Sequence, residues 1–440
     1  MGRNPLLCLF FIDTGNFILL PISCAGSMVQ KQRLAKAVDN NTMQDHNHTI
    51  IVGAGIGGLA AAYALARQGQ TVQVLEQAAV LSEVGAGIQL GPNSVGILQA
   101  WGLQSALDAV AAYPERLQVR DAYSGQELGS LRLGQHFVQR YGARYATVHR
   151  ADIHGVLWQA CQALGVPVAL NQRITGYQVQ GDRVHVGECQ AGVLVGADGL
   201  WSQVRQQLLP HEAAPRYSGV LAYRALVPQA SLPPTLRSQH VTAWLGHDLH
   251  MVQYPVQRGE GMNVVVLVRG ERPEDLANWD HAANKVLLEQ ALCGTYTPMR
   301  DTVQAIENWR LWPLCDRPPV QNAAQMAVGR VALLGDAAHP MRPFMAQGAG
   351  MALEDAAILA HSLRVHGVQP TALQDYAQRR WQRCARVQQR SIRNGDIFHA
   401  QGVMRLGRNW SMRLLGEQIM DVPWLYGYTL AKTLAGVPSV

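Results

Sequence analysis

Thr49-Ile-Ile-Val-Gly53-Ala-Gly55-Ile-Gly-Gly58 decides how this chain folds. Four apolar or β-branched residues make a short buried strand. A glycine-rich turn follows, then an Ala- and Leu-rich helix over 59–68 closed by Gly69, then a second strand over 71–75 that ends at Glu76. Strand, turn, helix and strand in this order start a parallel sheet. In this context Gly53 permits the tight turn, Gly55 lets the backbone approach a pyrophosphate, and Gly58 lets helix and strand pack closely. The helix N-terminus offers free N–H groups to phosphates. Glu76 stands where an acid would bind a ribose hydroxyl, with Gln77 beside it. The motif indicates a dinucleotide without separating FAD from NAD.

Working outward, two more strand-to-helix units return. Val193-Leu-Val-Gly-Ala-Asp198-Gly199 leads into a helix from Ser202, so Asp198 is either a ligand residue or an ordinary N-cap. The strand at 331–335 delivers Asp336, then a loop with His339, Arg342 and Pro343, then a helix start at Gly348-Ala349-Gly350. Such a helix end can face a group that becomes negative. Between these units, stretches at 116–133 and 216–268 alternate around the turns Ser124-Gly125 and Arg258-Gly259-Glu260-Gly261, as hairpins do. The expected fold is therefore α/β: a Rossmann-like nucleotide-binding domain (46–112, 145–215, 313–378) interrupted by an antiparallel-sheet substrate domain (113–144, 216–312). A helical C-terminal segment (379–440) closes the chain. Residues 1–45 hold a broken apolar run, Leu-Leu-Cys-Leu-Phe-Phe-Ile, and read as an extension outside the fold, with a targeting peptide as the other reading.

Composition narrows the classes. The 440 residues are 48% hydrophobic and 15% charged, with 42 glycines, which suits a nucleotide-binding α/β protein. A net charge of +6 without a dense basic block argues against nucleic acid and would attract anionic substrates. Seven cysteines without CxxC or Cys/His spacing read as reduced thiols in a cytoplasm, with no metal site and no stable membrane contact.

The trio of Gly53-x-Gly55-x-x-Gly58, Asp198-Gly199 and Gly335-Asp336 resembles the single-component FAD-dependent aromatic hydroxylases, whose sheet domain is of the p-hydroxybenzoate hydroxylase type. The stretches Gly85–Asn93, Val148–Asp152, Val252–Pro255 and Ile397–Val403 are most similar to the 3-hydroxybenzoate 6-hydroxylase, salicylate hydroxylase and 6-hydroxynicotinate 3-monooxygenase branch. The resemblance implies FAD held by Glu76, Arg150, Asp198 and Asp336. It implies NADH or NADPH as a transient reductant, O2 as co-substrate and a small aromatic acid hydroxylated through a flavin C4a-hydroperoxide. A homodimer is one option for assembly. Where the 3-hydroxybenzoate members carry a His after Gly and a Gln in the flavin loop, this chain has Val220 and Pro343; where the 6-hydroxynicotinate members carry a His, it has Gln89. Candidates for chemistry are Arg342 as a carboxylate anchor or a solvated cation, with Arg224 making a similar claim. Tyr223 is a phenolate partner or a core aromatic, and His250 a base or a core histidine. Pro343 lies in the loop itself. His339 is expected to order that loop, and Glu354-Asp355 to cap or pair within their own helix.

Overall fold

The structure is a computed structural model that describes residues 47–81, 86–276 and 281–434. The extension expected over 1–45 lies outside the described residues. Among those described, two large sheets organise the chain.

The first is six-stranded, in the order Ala327–Val328, Val331–Leu333, Val193–Gly196, His48–Val52, Thr71–Leu75, Val168–Ala169. Its pairs are parallel except for the edge hairpin between Ala327–Val328 and Val331–Leu333. The central strand His48–Val52 is buried throughout, as a strand covered on both faces must be. Helix Ile56–Ala66 packs against the sheet and against helix Gly348–His366. Both are buried along most of their length because both are enclosed.

The second sheet is eight-stranded, in the order His281–Ala282, Arg310–Asp316, Arg216–Pro228, Gly261–Arg269, Leu249–Val256, Val241–Leu245, Arg116–Asp121, Glu127–Arg132. It departs from the expected all-antiparallel form at one pair: Val241–Leu245 runs parallel to Arg116–Asp121. These two strands come from separate excursions of the chain, so no hairpin constrains their direction.

Two expected boundaries fall inside continuous elements. Strand Arg310–Asp316 runs across 312/313, and helix Pro370–Phe398 runs across 378/379. That helix is amphipathic along its length, so nothing in it marks an end at 378. No helix among the described residues is long and apolar enough to cross a membrane.

Candidate active site

A single cavity of about 720 Å³ runs from the first glycine-rich turn to one face of the eight-stranded sheet. All three motifs line it: Gly53, Gly55, Glu76 and Gln77; Asp198 and Gly199; and Gly335, Asp336, Gly348 and Ala349. Arg150, Gln89, Met341, Arg342 and Pro343 lie between them and the sheet residues Arg224, His250, Val252, Tyr254, Val265 and Leu267.

The three glycines of the first turn meet three different demands. Gly53 has φ +101°, and a Cβ there would sit 2.5 Å from the Ala197 carbonyl oxygen. A Cβ on Gly58 would lie 1.9 Å from the Gly53 oxygen, so only glycine lets this helix reach its strand. A Cβ on Gly55 would meet nothing within 4 Å, leaving open space beside the backbone. The helix behind it starts without a side-chain cap and without an acid in its first turn, as does helix Gly348–His366. Two uncapped helix ends thus border one cavity, each with unsatisfied N–H groups suited to negative charge. This is what a dinucleotide with an electron-accepting ring requires, and the residues present fit FAD.

Glu76 accepts hydrogen bonds from the Ala54 N–H (2.6 Å) and the Ala78 N–H (2.8 Å), which ties the strand end to the turn. Asp198 does what an N-terminal helix residue does: its carboxylate accepts from Ser202 Oγ (2.5 Å) and from the Gln203 N–H (2.8 Å) while still facing the cavity. Burial pushes its pKa up against those hydrogen bonds. Asp336 is surrounded by protein yet open to the cavity. Burial raises its pKa, with His339 and Arg150 opposing. Gly350 and Gly58 do not line the cavity. A Cβ on Gly350 would meet Ser94 Oγ at 2.5 Å, so that glycine lets two helices approach.

Behind the Asp336 loop lies a buried charge cluster. Asp355 Oδ2 accepts from His339 Nε2 (2.5 Å) and from the Gly335 N–H (3.0 Å), and its Oδ1 accepts from Arg380 Nε (2.7 Å). Glu354 pairs with Arg380 (2.8 Å) and Arg383 (2.6 Å). Glu354 and Asp355 were expected to pair within their own helix; their partners sit instead on helix Pro370–Phe398. Burial alone would raise both carboxyls. Arg383 and Arg380 hold Glu354 low, and His339 and Arg380 hold Asp355 at about 2. Asp355 in turn outweighs burial at His339 and keeps it protonated. His339, Asp355 and Cys384 lie close enough to share a metal ion, but the Asp355 oxygens are taken by a guanidinium, an imidazole and a backbone N–H. His339 thus orders the loop.

The sheet end corrects two expectations. Tyr223 does not face the cavity. It is buried among Trp244, Met251, Val264 and Val266 on the opposite side of the sheet. Strand side chains alternate, so its neighbour Arg224 faces the cavity instead, opposite Val265. Arg342 lines the cavity but is neither free nor solvated: its Nε donates to Asp316 (2.6 Å), which is 2% exposed. Arg224 is the cation in reserve. Its Nε has no hydrogen-bond partner among the described residues, and its guanidinium stacks on Trp312 at 3.9 Å. Burial pushes its pKa down to about 9, and the nearby Arg150 cation pushes the same way.

His250 faces the cavity two residues from Val252, and its Nδ1 lies 2.8 Å from His399 Nε2. It is both cavity-lining and buried, so the two readings of it are not exclusive. Pro343 opens a short 3-10 turn on the cavity wall, and Ala346 just after it adopts a left-handed φ of +51°. Tyr254 was missed as a site residue. Its parity with His250 and Val252 on one strand was the available signal.

Burial holds the pKa of His250 well below 6.5 and that of His399 at about 4. An unfolded chain therefore takes up these protons first as pH falls. The stability that the neutral pair contributes is complete above pH 6.5 and is lost as pH drops towards 4. Melting temperature should fall over this window, and less steeply in His399→Gln. Equal slopes in both proteins would remove the histidine pair as the cause.

A family model for an FAD binding domain matches residues 46–391. A 3-hydroxybenzoate 6-hydroxylase of Aquipseudomonas alcaligenes is 41% identical over 397 residues, covering 87% of this chain and 98% of the relative. A 6-hydroxynicotinate 3-monooxygenase of Bordetella bronchiseptica is 35% identical, covering 80% and 92%. Among solved structures, Klebsiella pneumoniae HpxO complexed with FAD and uric acid superposes with a TM-score of 0.76 at 26% identity, covering 87% of this chain and 97% of that one.

Proposed function

The chain belongs to the FAD binding domain family, and from that premise we propose that it is a monooxygenase that hydroxylates a small aromatic acid with O2 and NAD(P)H. FAD is its cofactor. Bound FAD supplies the passage of electrons from the nicotinamide to O2 and the transfer of one oxygen atom to the ring. The chain's residues bind, orient and exclude water. Gly53, Gly55, Glu76 and Gln77 would hold the adenosine and pyrophosphate part, and Arg150, Asp198 and Asp336 the remaining chain. The helix start at Gly348-Ala349 would favour negative charge beside it. Asp336→Ala should then lose hydrogen bonds to a charged group, about 1.5–3 kcal/mol, or about 10- to 150-fold in Kd for FAD. Full flavin occupancy after dilution and gel filtration would remove Asp336 from that role.

The observation that carries the substrate class is Arg224, whose Nε has no hydrogen-bond partner among the described residues and which stands beside Val252, Val265 and Leu267 on the cavity wall. A largely desolvated cation with an unmade hydrogen bond costs stability, and a substrate carboxylate would complete it. Arg224 thus takes the anchoring role first considered for Arg342. Given the 41% identity to a 3-hydroxybenzoate 6-hydroxylase, 3-hydroxybenzoate is the first substrate to test, beside salicylate and 6-hydroxynicotinate. Substrate-stimulated NAD(P)H oxidation with product identification tests the reading. A hydroxylated acid formed in step with NAD(P)H supports it. Hydrogen peroxide with every acid would mean a flavoprotein that does not insert oxygen. The free thiols among the described cysteines support a reducing cytoplasm. The exposed stripe of Val403, Trp410 and Leu414 on helix Gly402–Met420 is the surface on which a homodimer would form.

A further inference from the structure

We propose that His250 and His399 form a two-ring proton relay that carries the phenolic proton of a bound hydroxyaromatic acid out of the cavity to solvent. The proposal rests on the hydroxylase reading above and adds the route by which the substrate becomes a phenolate.

The geometry is that of a wire. His250 lines the cavity, is 2% exposed, and makes no hydrogen bond through Nε2 among the described residues. Its Nδ1 is 2.8 Å from His399 Nε2. His399 follows the end of helix Pro370–Phe398, does not line the cavity, and is 7% exposed. The two rings therefore lead from the cavity wall to a histidine that keeps only a small exposed edge. Phe344 and Phe398 wall them in: His250 lies 5.2 Å from the Phe344 ring and 5.6 Å from the Phe398 ring, and His399 lies 5.7 Å from Phe344. Water cannot readily bypass an aromatic cage, so the hydrogen-bonded path runs through the imidazoles.

The transfer balances without charging either ring. The phenol O–H bond breaks and its proton goes to His250 Nε2. The His250 Nδ1 proton passes to His399 Nε2, and the His399 Nδ1 proton leaves to water. One phenol becomes a phenolate, one proton reaches solvent, and both histidines exchange tautomers. A concerted neutral relay suits this place, because burial disfavours an imidazolium on His250. The charged groups facing the pair agree with the direction of flow. Asp248, on the turn before the His250 strand, draws positive charge towards His399 and is itself paired with Arg269 (2.6 Å). Arg269 from the neighbouring strand, Arg408 from helix Gly402–Met420 and Arg342 from the loop all disfavour a proton resting on His399, so it passes on. Arg224 in the cavity favours the phenolate left behind. In these terms His250 touches substrate, and His399 is a positioning and relay residue acting through it.

The test uses the full-length FAD-loaded protein and 3-hydroxy-4-nitrobenzoate, whose phenolate is coloured, at a pH low enough for the free nitrophenol to be protonated. Stopped-flow mixing with a pH indicator reads proton release, and absorbance reads phenolate formation. His399→Gln keeps an amide where Nε2 stood and can hold His250, but it cannot relay. It should slow proton release by about 100-fold, the scale of a lost proton-transfer group, with Kd for the acid little changed. Added imidazole should restore part of the rate. Should the variant not fold, the wild-type protein still decides. Release rates in H2O–D2O mixtures should bow with deuterium content, as the three protons in flight of a concerted relay require, whereas a straight line overturns the relay. Binding with release at the wild-type rate in His399→Gln overturns the relay alone and leaves the hydroxylase reading standing. Failure of every phenolic acid to bind overturns both.

Discussion

Arg224→Ala should raise KM for the aromatic acid by about 10- to 150-fold while FAD stays bound, matching about 1.5–3 kcal/mol of lost charge-assisted hydrogen bonding. The expectation follows from where the cation stands. Arg224 reaches the cavity from strand Arg216–Pro228, stacked on Trp312 and without a hydrogen-bond partner at Nε. Its fork can take both oxygens of a carboxylate, which an ammonium cannot, so Arg224→Lys should recover only part of the loss. A neutral analogue, with an alcohol in place of the acid, should be insensitive to the substitution. Arg342→Ala provides the contrast. It frees Asp316, which keeps Arg216 at 2.8 Å, and should disturb the loop and thermal stability more than KM. Steady-state kinetics on the three variants check this. A large KM effect at Arg342 with none at Arg224 would reverse the assignment.

Arg380→Ala should cost about 3–5 kcal/mol of stability, the scale seen when one member of a buried ion pair is removed. Arg380 is fully buried and bridges two fully buried carboxylates, Glu354 and Asp355. Arg383 still neutralises Glu354 in the variant, but Asp355 keeps only His339. Since Asp355 also accepts from the Gly335 N–H, the loop that carries Asp336 should loosen, and FAD affinity should fall with stability. Denaturant unfolding with and without added FAD measures both. A loss below 1 kcal/mol would show that Arg383 and His339 suffice. Arg380→Met with Asp355→Leu should recover much of the loss, because removing both charges avoids the unpaired one.

Much of this was legible in the sequence because it is local. Gly53 and Gly58 were legible as turn and close packing, and Gly55 as the glycine beside open space, because each demand is set by neighbours within or next to one strand–turn–helix unit. Asp198 and Asp336 were legible as strand-end acids for the same reason. What failed depends on distance or parity. Glu354 and Asp355 meet Arg380 and Arg383 across 25 to 29 residues, beyond any helical spacing rule. Tyr223 and Arg224 are adjacent, and only the face of the sheet separates core from cavity. The strand carries apolar residues on both faces, Val220 and Ala222 on one and Leu221 and Ala225 on the other, so alternation does not say which face holds the substrate. Arg342 was legible as a cation beside the flavin loop, but its partner Asp316 ends a strand of the other sheet. The close approach of Ser94 Oγ, 2.5 Å from where a Cβ would stand, explains why Gly350 is small, and a residue so distant in the chain gave no hint of it in sequence.

The most direct measurement is turnover of 3-hydroxybenzoate with NADH under ¹⁸O2, read by mass spectrometry of the organic product. The account predicts a dihydroxybenzoate carrying one labelled oxygen, formed in step with NADH consumed. Consumption of NADH with all label recovered as hydrogen peroxide, for this acid and for salicylate and 6-hydroxynicotinate, would contradict it.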